Sequence, residues 1–208
     1  VPVTMDDMVY HSAAVARCRR RALLMVDMPF MSYATPQQAV VNAARLMQEG
    51  GAHMVKLEGG AIQAETVRQL TARGIPVCAH LGLQPQSVHR LGGYRVQGRD
   101  AAAAHAMLQD AKSLQEAGAD VLLLESIPVG LAAEITQAVE IPVIGIGAGP
   151  SCDGQVLVLY DMLGITSGKR PKFARDFMTG QLHIRAAVAS YIEAVKSGAF
   201  PAPQHCFN

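Results

Sequence analysis

Short apolar runs alternate with amphipathic stretches along nearly the whole chain, and this alternation limits the possible folds more than any other feature of the sequence. It is typical of repeated βα units around a parallel sheet. The runs are apolar on both faces, as buried parallel strands must be. They predict six strands, at residues 22–27, 53–58, 75–80, 120–125, 141–146 and 155–160.

The connecting helices have recognisable boundary signals. Thr35 is a suitable N-cap, Pro36 suits the first helical position, Gln38 is a capping-box partner, and Gly50 supplies a left-handed stop. These residues predict a helix over 36–49. Similar signals predict a helix-like segment at 4–21 and helices at 66–73, 100–118, 130–139 and 184–197.

The chain reads as one domain, because no Ser/Gly linker or change of composition divides it. We therefore predict a single, incomplete barrel domain over 1–208, with 199–208 as an extended tail. Two α/β architectures are open: a doubly wound sheet, and a (β/α)8 barrel that lacks part of itself. A barrel needs eight strands and typically about 250 residues. Six strands in 208 residues leave two βα units unaccounted for.

Composition excludes several classes of protein. The chain is 50% hydrophobic and 17% charged with a net charge of +1, so neither disorder nor attraction to nucleic acid or anionic lipid is expected. No apolar run approaches the roughly 20 residues of a membrane span, and no signal-sequence pattern is present, so we expect a cytoplasmic protein. The four cysteines are scattered, and no Cys/His spacing indicates a zinc site.

Charged and polar residues stand at the carboxyl ends of the predicted strands, whose interiors are almost entirely aliphatic. They are Asp27, Lys56, Glu58, His80 and Glu125. Because burial of a lone charge is costly, such residues are expected to be paired or liganded. In both architectures ligands bind at the carboxyl edge of the sheet. The pattern predicts one shared site at this edge.

The residue types suggest roles in that site. Lys56 and Glu58 are two apart and emerge on one face of a strand. Asp27 and Glu58 offer the oxygen ligands that Mg²⁺ accepts, with waters and substrate completing its shell. Glu125 is then available as a base. The structural alternatives are that Asp27 caps a turn, that Lys56 and Glu58 form an ion pair, and that His80 is a core histidine.

Two further features have weaker implications. Gly145, Gly147 and Gly149 follow a strand, but Pro150 replaces the third glycine of the dinucleotide-binding pattern, so these glycines bind a phosphate or serve tight-turn packing. Residues 83–99 form a long loop on the predicted functional edge, and such loops are often lids.

Seven segments together resemble one enzyme family, ketopantoate hydroxymethyltransferase, also called 3-methyl-2-oxobutanoate hydroxymethyltransferase. The resemblance covers essentially the whole chain in co-linear order. The segments are DMPFMSYATPQQ (27–38), MVKLEGG (54–60), PVCAHLGLQPQSV (76–88), GGYRVQGR (92–99), LLLESIPV (122–129), IPVIGIGAGPSCDGQVLVLYDMLG (141–164) and KRPKFARDF (169–177).

The resemblance implies a (β/α)8 barrel of the phosphoenolpyruvate/pyruvate type, assembled as a homodecamer. It implies transfer of a hydroxymethyl group from 5,10-methylenetetrahydrofolate to 3-methyl-2-oxobutanoate through a Mg²⁺-stabilised enolate, giving 2-dehydropantoate in pantothenate biosynthesis. By resemblance, Asp27 binds Mg²⁺ and the 2-oxo acid, Glu58 belongs to the metal shell, Lys56 binds the oxo acid, and Glu125 is the catalytic proton acceptor. The resemblance leaves the folate-binding residues unassigned.

One departure from the family pattern is large. Family members have roughly one more pair of βα units before VPVT, including a GDS segment whose Asp binds metal and whose Ser contacts substrate, and neither residue occurs in this sequence. We therefore expect an incomplete member of the family. The alternatives are a related Mg²⁺-dependent 2-oxo acid aldolase or lyase, a Schiff-base enzyme in which Lys56 is the covalent carrier, and an inactive truncated scaffold.

Overall fold

A parallel sheet organises the computed structural model, which describes all 208 residues. Each of the six strands pairs with its neighbours in the sequence, so the first and the last strand are the two edges of the sheet. This order has no reversal point, which is the winding of a barrel and not that of a doubly wound sheet. The strands are β1 (Met25–Asp27), β2 (Met54–Glu58), β3 (Val77–Gly82), β4 (Val121–Glu125), β5 (Val143–Ile146) and β6 (Gly154–Gln155).

Helices connect the first five strands in turn, a loop joins the fifth strand to the sixth, and the six predicted helical segments are confirmed. Two further short helices, at Val88–Leu91 and Leu159–Met162, are not predicted by the sequence. The helices are α1 (Met5–Cys18), α2 (Pro36–Gln48), α3 (Ala64–Thr71), α4 (Val88–Leu91), α5 (Ala101–Glu116), α6 (Val129–Ala138), α7 (Leu159–Met162) and α8 (Ile184–Lys196), with 3-10 turns at Ala61–Gln63, Pro85–Ser87 and Pro203–His205.

The cap predicted for α2 is present. The Thr35 hydroxyl accepts a hydrogen bond from the backbone N–H of Gln38 at 3.2 Å. The Gln38 side chain reaches back to the N–H of Ala34 at 3.1 Å, one residue before the N-cap that a capping box would use. Local hydrogen bonding therefore fixes where the chain enters the helix after β1.

The two faces of the sheet differ in character because side chains alternate along a strand. On β2, Val55 and Leu57 belong to the main core, which packs the sheet against the surrounding helices. The opposite, inner face has a smaller apolar cluster of Met54, Cys78, Leu123 and Ile146. Lys56 and Glu58 lie on this inner face, further toward the carboxyl end than Met54.

The predicted sixth strand is wrong over most of its length. Of residues 155–160 only Gln155 is in a strand, and the chain turns into α7 at Leu159. Leu157 leaves the sheet and joins a second apolar cluster with Met162, Tyr191 and other residues from the last part of the chain. The apolar run is real, but its side chains are buried by packing near α8 and not by pairing at the sheet edge.

The last residues contact two parts of the fold. Phe200 is buried in the second apolar cluster, and the carbonyl oxygen of Phe207 accepts a hydrogen bond from the N–H of Val129 at 3.0 Å. The division into one domain and a tail at 199–208 stays a prediction. None of the helices combines the length and the hydropathy needed to cross a membrane.

Leu57→Ala should destabilise the fold strongly, because Leu57 is fully buried on the outer face of β2 between two site residues. Truncation of a buried leucine costs about 2–5 kcal/mol of unfolding free energy. Urea denaturation measures this change. Leu182→Ala is the control, since Leu182 is 96% exposed and its truncation should change the unfolding free energy by less than about 0.5 kcal/mol. Equal effects would contradict the assigned core.

Candidate active site

All five polar residues predicted at strand ends meet on the inner face of the sheet. The Lys56 Nζ lies 3.2 Å from Asp27 Oδ2 and 3.4 Å from His80 Nδ1. His80 Nδ1 is 3.9 Å from Glu58 Oε1, and its Nε2 is 3.3 Å from Glu125 Oε2. The side chains therefore form one continuous cluster that spans β1 to β4.

Strand register produces this cluster. Asp27 is paired with Lys56 across β1 and β2, and Glu58 is paired with His80 across β2 and β3. Parallel strands place their carboxyl ends at the same edge, so residues far apart in sequence become neighbours. Residues with the same inward orientation on adjacent strands then contact one another.

Glu125 reaches the cluster through a close approach of two strands. It is paired with Gly82, whose φ of +90° favours glycine. A Cβ atom at Gly82 would lie 2.1 Å from the carbonyl oxygen of Glu125. Ser126, the residue after Glu125, has a left-handed φ of +49° and donates its N–H to the carbonyl of Ile146 on β5 at 2.9 Å. The backbone on both sides of Glu125 is thus tightly constrained.

The Lys56 ammonium is a buried charge. Burial alone would lower the pKa of Lys56, but the nearby carboxylates of Asp27 and Glu58 outweigh burial and raise that pKa above its ordinary value. Lys56 therefore stays protonated. A protonated amine does not attack a carbonyl, so this environment disfavours the Schiff-base alternative.

Glu58 and Glu125 are unusual carboxyl groups. Burial raises the pKa of Glu58 to about 7 against the opposing effect of Lys56, and the same two causes act on Glu125, whose pKa is also about 7. Either group can exchange a proton near neutral pH. Glu125 retains a route to solvent, because its side chain is 15% exposed.

His80 is neutral and almost completely buried between Lys56 and Glu125. Burial, followed by the charge of Lys56, lowers the pKa of His80 to about 3. An ammonium can only donate, so Nδ1 is the acceptor for Lys56 and the ring proton belongs on Nε2. The Nε2 atom faces Glu125 but is not aligned for a hydrogen bond with it, and Nε2 has no other hydrogen-bond partner. His80 is therefore both a core histidine and a neighbour of the site.

Two members of the hydrogen-bond network, Tyr33 and Gln86, were not among the residues predicted from the sequence. The Gln86 N–H donates to Glu58 Oε2 at 3.0 Å, and the Tyr33 hydroxyl donates to Gln86 Oε1 at 2.7 Å. Burial, reinforced by the charge of Glu58, raises the pKa of Tyr33. For Gln86 the available signal was its place in the loop at 83–99 on the predicted functional edge, whereas no such signal pointed to Tyr33.

The weaker sequence features remain outside this network. Gly147 has φ +62°, and a Cβ atom there would lie 2.8 Å from the Phe173 ring, so its conformation and packing account for the glycine. Phosphate binding by this turn and the lid role of the 83–99 loop stay predictions. No group of three or more His, Cys, Asp or Glu side chains has a metal-holding arrangement. Any divalent ion would therefore need further ligands from water or substrate.

Comparison with known sequences identifies the family. A family model described as ketopantoate hydroxymethyltransferase matches residues 1–203. The chain belongs to this family. It is 62% identical over all 208 residues to the 3-methyl-2-oxobutanoate hydroxymethyltransferase of Alkalilimnicola ehrlichii, of which it covers 75%. It is 63% identical over 199 residues, 96% of the chain, to the same enzyme of Nitrosococcus oceani, of which it covers 75%.

The chain thus spans about three quarters of the length of the curated relatives it matches. Among solved structures, it is similar to a protein of Burkholderia cenocepacia described as a lyase/mutase, with a TM-score of 0.53, 20% identity, and coverage of 96% of this chain and 69% of that one. A protein of the same organism described as a phosphonomutase gives a TM-score of 0.55 at 18% identity, covering 69% and 62%. These similarities confirm that the chain has a fold of the α/β barrel class.

The raised pKa of Glu125 predicts a pH dependence of stability. Between about pH 4.5 and 7 the folded chain retains at Glu125 a proton that the unfolded chain releases, so the contribution of this group to stability is fully present below this window and is lost as pH rises through it. Glu125→Gln removes this titration, and its unfolding free energy should fall less over the window, by up to about 3 kcal/mol.

Urea denaturation at several pH values measures this difference. The matched control is Glu134→Gln, which makes the same chemical change at an exposed position of α6 and should follow the unaltered chain. Parallel pH curves for the unaltered chain and Glu125→Gln would contradict the assigned pKa shift.

Proposed function

We propose that this chain transfers a hydroxymethyl group from 5,10-methylenetetrahydrofolate to 3-methyl-2-oxobutanoate, giving 2-dehydropantoate in pantothenate biosynthesis. The observation that carries the proposal is a buried, protonated lysine among carboxyl groups, two of which have a pKa of about 7, in a chain of the ketopantoate hydroxymethyltransferase family. This combination suits binding of an anionic oxo acid and removal of a carbon-bound proton.

Lys56 is the residue suited to hold the oxo acid. Its ammonium contacts Asp27 and His80 and is fixed at the carboxyl edge of β2. A substrate carboxylate or keto oxygen that approaches this edge meets a positive charge that is poorly screened by water. The same charge stabilises an enolate as it forms, because the negative charge moves toward the keto oxygen.

Glu125 is the residue suited to accept the C3 proton of the oxo acid. A base with a pKa near 7 combines a substantial ionised fraction with enough basicity, and general base catalysis typically contributes about 10²- to 10⁴-fold. Loss of the proton gives an enolate whose C3 attacks the folate methylene carbon. Formation of the new carbon–carbon bond breaks one of the two bonds from the methylene carbon to the folate nitrogens. Water breaks the second bond and supplies the hydroxyl group of the product, and each folate nitrogen leaves with a proton, one from C3 of the oxo acid by way of Glu125 and one from water.

Asp27 and Glu58 are suited to hold Mg²⁺. Mg²⁺ is commonly bound through one or two carboxylates, with waters and substrate oxygens at its other positions, so these two side chains would be sufficient protein ligands. The Asp27 side chain is 52% exposed, so it is accessible to an ion from solvent. When bound, Mg²⁺ supplies positive charge that increases the acidity of the oxo acid.

The family also suggests the type of substrate, the oligomeric state and the cellular location of this chain. Family membership supports small-molecule substrates, namely an oxo acid and a reduced folate. Assembly as a homodecamer and a cytoplasmic location remain proposals from the family resemblance. Analytical ultracentrifugation of the purified chain tests the first of these.

Glu125→Gln should abolish most turnover and leave substrate binding nearly intact. The amide keeps the shape of the side chain but cannot accept the C3 proton, so we expect kcat for 2-dehydropantoate formation to fall by about 10²-fold or more. Calorimetric titration with Mg²⁺ and 3-methyl-2-oxobutanoate should give an affinity close to that of the unaltered chain. Glu134→Gln is again the control, and unchanged turnover in Glu125→Gln would remove Glu125 from the role of base.

Asp27→Asn should weaken Mg²⁺ and oxo acid binding together, because it removes a charged oxygen ligand and half of the nearest ion pair of Lys56. We expect the calorimetric affinity for Mg²⁺ to fall by at least about 10- to 100-fold, because loss of even an outer partner of a metal ligand costs that much. Glu193→Gln, on the exposed side of α8, should retain normal affinity. If the unaltered chain gives no heat at millimolar ligand, the scaffold alternative is favoured instead.

A further inference from the structure

Gln86 ties together three segments that end at the site. Its backbone N–H donates to Glu58 Oε2 at 3.0 Å, so it holds the side chain at the end of β2. Its side-chain Nε2 donates to the carbonyl oxygen of Met28 at 2.8 Å, just after β1. Its Oε1 accepts from the Tyr33 hydroxyl at 2.7 Å. Gln86 itself lies in the 3-10 turn that follows β3.

The orientation of the Gln86 amide is determined by its partners. The carbonyl of Met28 can only accept, so Nε2 must face it, and Oε1 must then accept from Tyr33. With its proton committed to Gln86, the Tyr33 oxygen is free to accept the backbone N–H of Glu58, at 3.4 Å. Glu58, Tyr33 and Gln86 therefore form a closed ring of hydrogen bonds.

The same side chain controls the main chain beside Asp27. The N–H of Met28 donates to the carbonyl of Lys56 at 2.8 Å, and the carbonyl of Met28 receives the Gln86 amide. Both polar groups of the residue after Asp27 are therefore fixed. The Asp27 side chain is half exposed, and its ion-pair partner is Lys56. Because few contacts fix this side chain, its position depends strongly on the backbone that carries it.

We propose that Gln86 is a positioning residue that sets the relative placement of the Asp27 and Glu58 carboxylates, and thereby the affinity of the site for a divalent cation. This inference rests on the proposed function, in which those two carboxylates hold Mg²⁺. Gln86 does not contact the reacting atoms. It acts through the Met28 carbonyl on one side and through the Glu58 carboxylate and Tyr33 on the other.

The variant that tests the proposal is Gln86→Met, which keeps the length of the side chain, adds no charge, and removes both side-chain hydrogen bonds. The backbone N–H to Glu58 is retained. The matched control is Gln84→Met, the same change two residues earlier in the same loop, where the side chain makes no hydrogen bond and is similarly half-buried. Tyr33→Phe removes the two hydrogen bonds by which the hydroxyl connects Gln86 Oε1 to the backbone N–H of Glu58, and it provides a second, nearly isosteric variant.

The measurement is Mn²⁺ binding, followed by electron paramagnetic resonance with 3-methyl-2-oxobutanoate present. We expect Gln86→Met to weaken Mn²⁺ affinity by about 10-fold, the lower end of the range for loss of an outer partner of a metal ligand, because the two lost bonds act on the carboxylates through Met28 and Tyr33. The loss should be smaller in Tyr33→Phe and absent in Gln84→Met. In the steady state the Mg²⁺ concentration for half-maximal rate should rise in parallel, while kcat at saturating Mg²⁺ changes by less than about threefold, because Glu125 and Lys56 are untouched.

Each other outcome has a definite meaning. Equal Mn²⁺ affinity in the unaltered chain and Gln86→Met overturns the proposal for Gln86 and leaves the proposed function intact. Absence of Mn²⁺ binding by the unaltered chain contradicts the proposed function and this inference with it. If circular dichroism shows that Gln86→Met does not fold, Tyr33→Phe decides, and unchanged affinity in that variant overturns the proposal.

Discussion

The buried ammonium of Lys56 is the constraint on which the site depends. A lone charge at this depth is strongly unfavourable, and the fold compensates it with the Asp27 carboxylate at 3.2 Å, the His80 ring nitrogen at 3.4 Å and the field of Glu58. Each of these three groups lies on the inner face of a different strand. The geometry of three strands, β1, β2 and β3, at their carboxyl ends is therefore coupled to the position of one positive charge.

Strand alternation allows stability and chemistry to coexist in the same short segments. On β2, Val55 and Leu57 contribute to the core while Lys56 and Glu58 face inward, and on β4 Leu122 and Leu124 do the same beside Glu125. Below the polar residues the inner face is apolar. That environment excludes water and raises the pKa of both glutamates toward neutrality, so the site owes its acid–base behaviour to the residues beneath it.

The cluster could be predicted from the sequence because it depends on a rule of parallel sheets. Asp27, Glu58, His80 and Glu125 each end an apolar run, Lys56 lies two residues before the end of one, and parallel strands bring such ends together. Tyr33 and Gln86 could not be predicted in this way, since their contacts depend on the paths of two loops, which residue periodicity does not encode. The strand expected at 155–160 failed for a related reason: an apolar run states that side chains are buried, but not which partner buries them.

Fold likeness alone does not select the chemistry of this chain. Proteins described as a phosphonomutase and a lyase/mutase share its strand arrangement at 18% and 20% identity, and one barrel can support many reactions by varying the residues at its strand ends. The choice is made by the side chains. A lysine whose pKa is raised by neighbouring carboxylates is poorly suited to attack a carbonyl, but it can bind an anion. A nearby glutamate with a pKa of about 7 can then take a proton from carbon. The electrostatics of these two residues thus favour enolate formation from a bound oxo acid over Schiff-base chemistry.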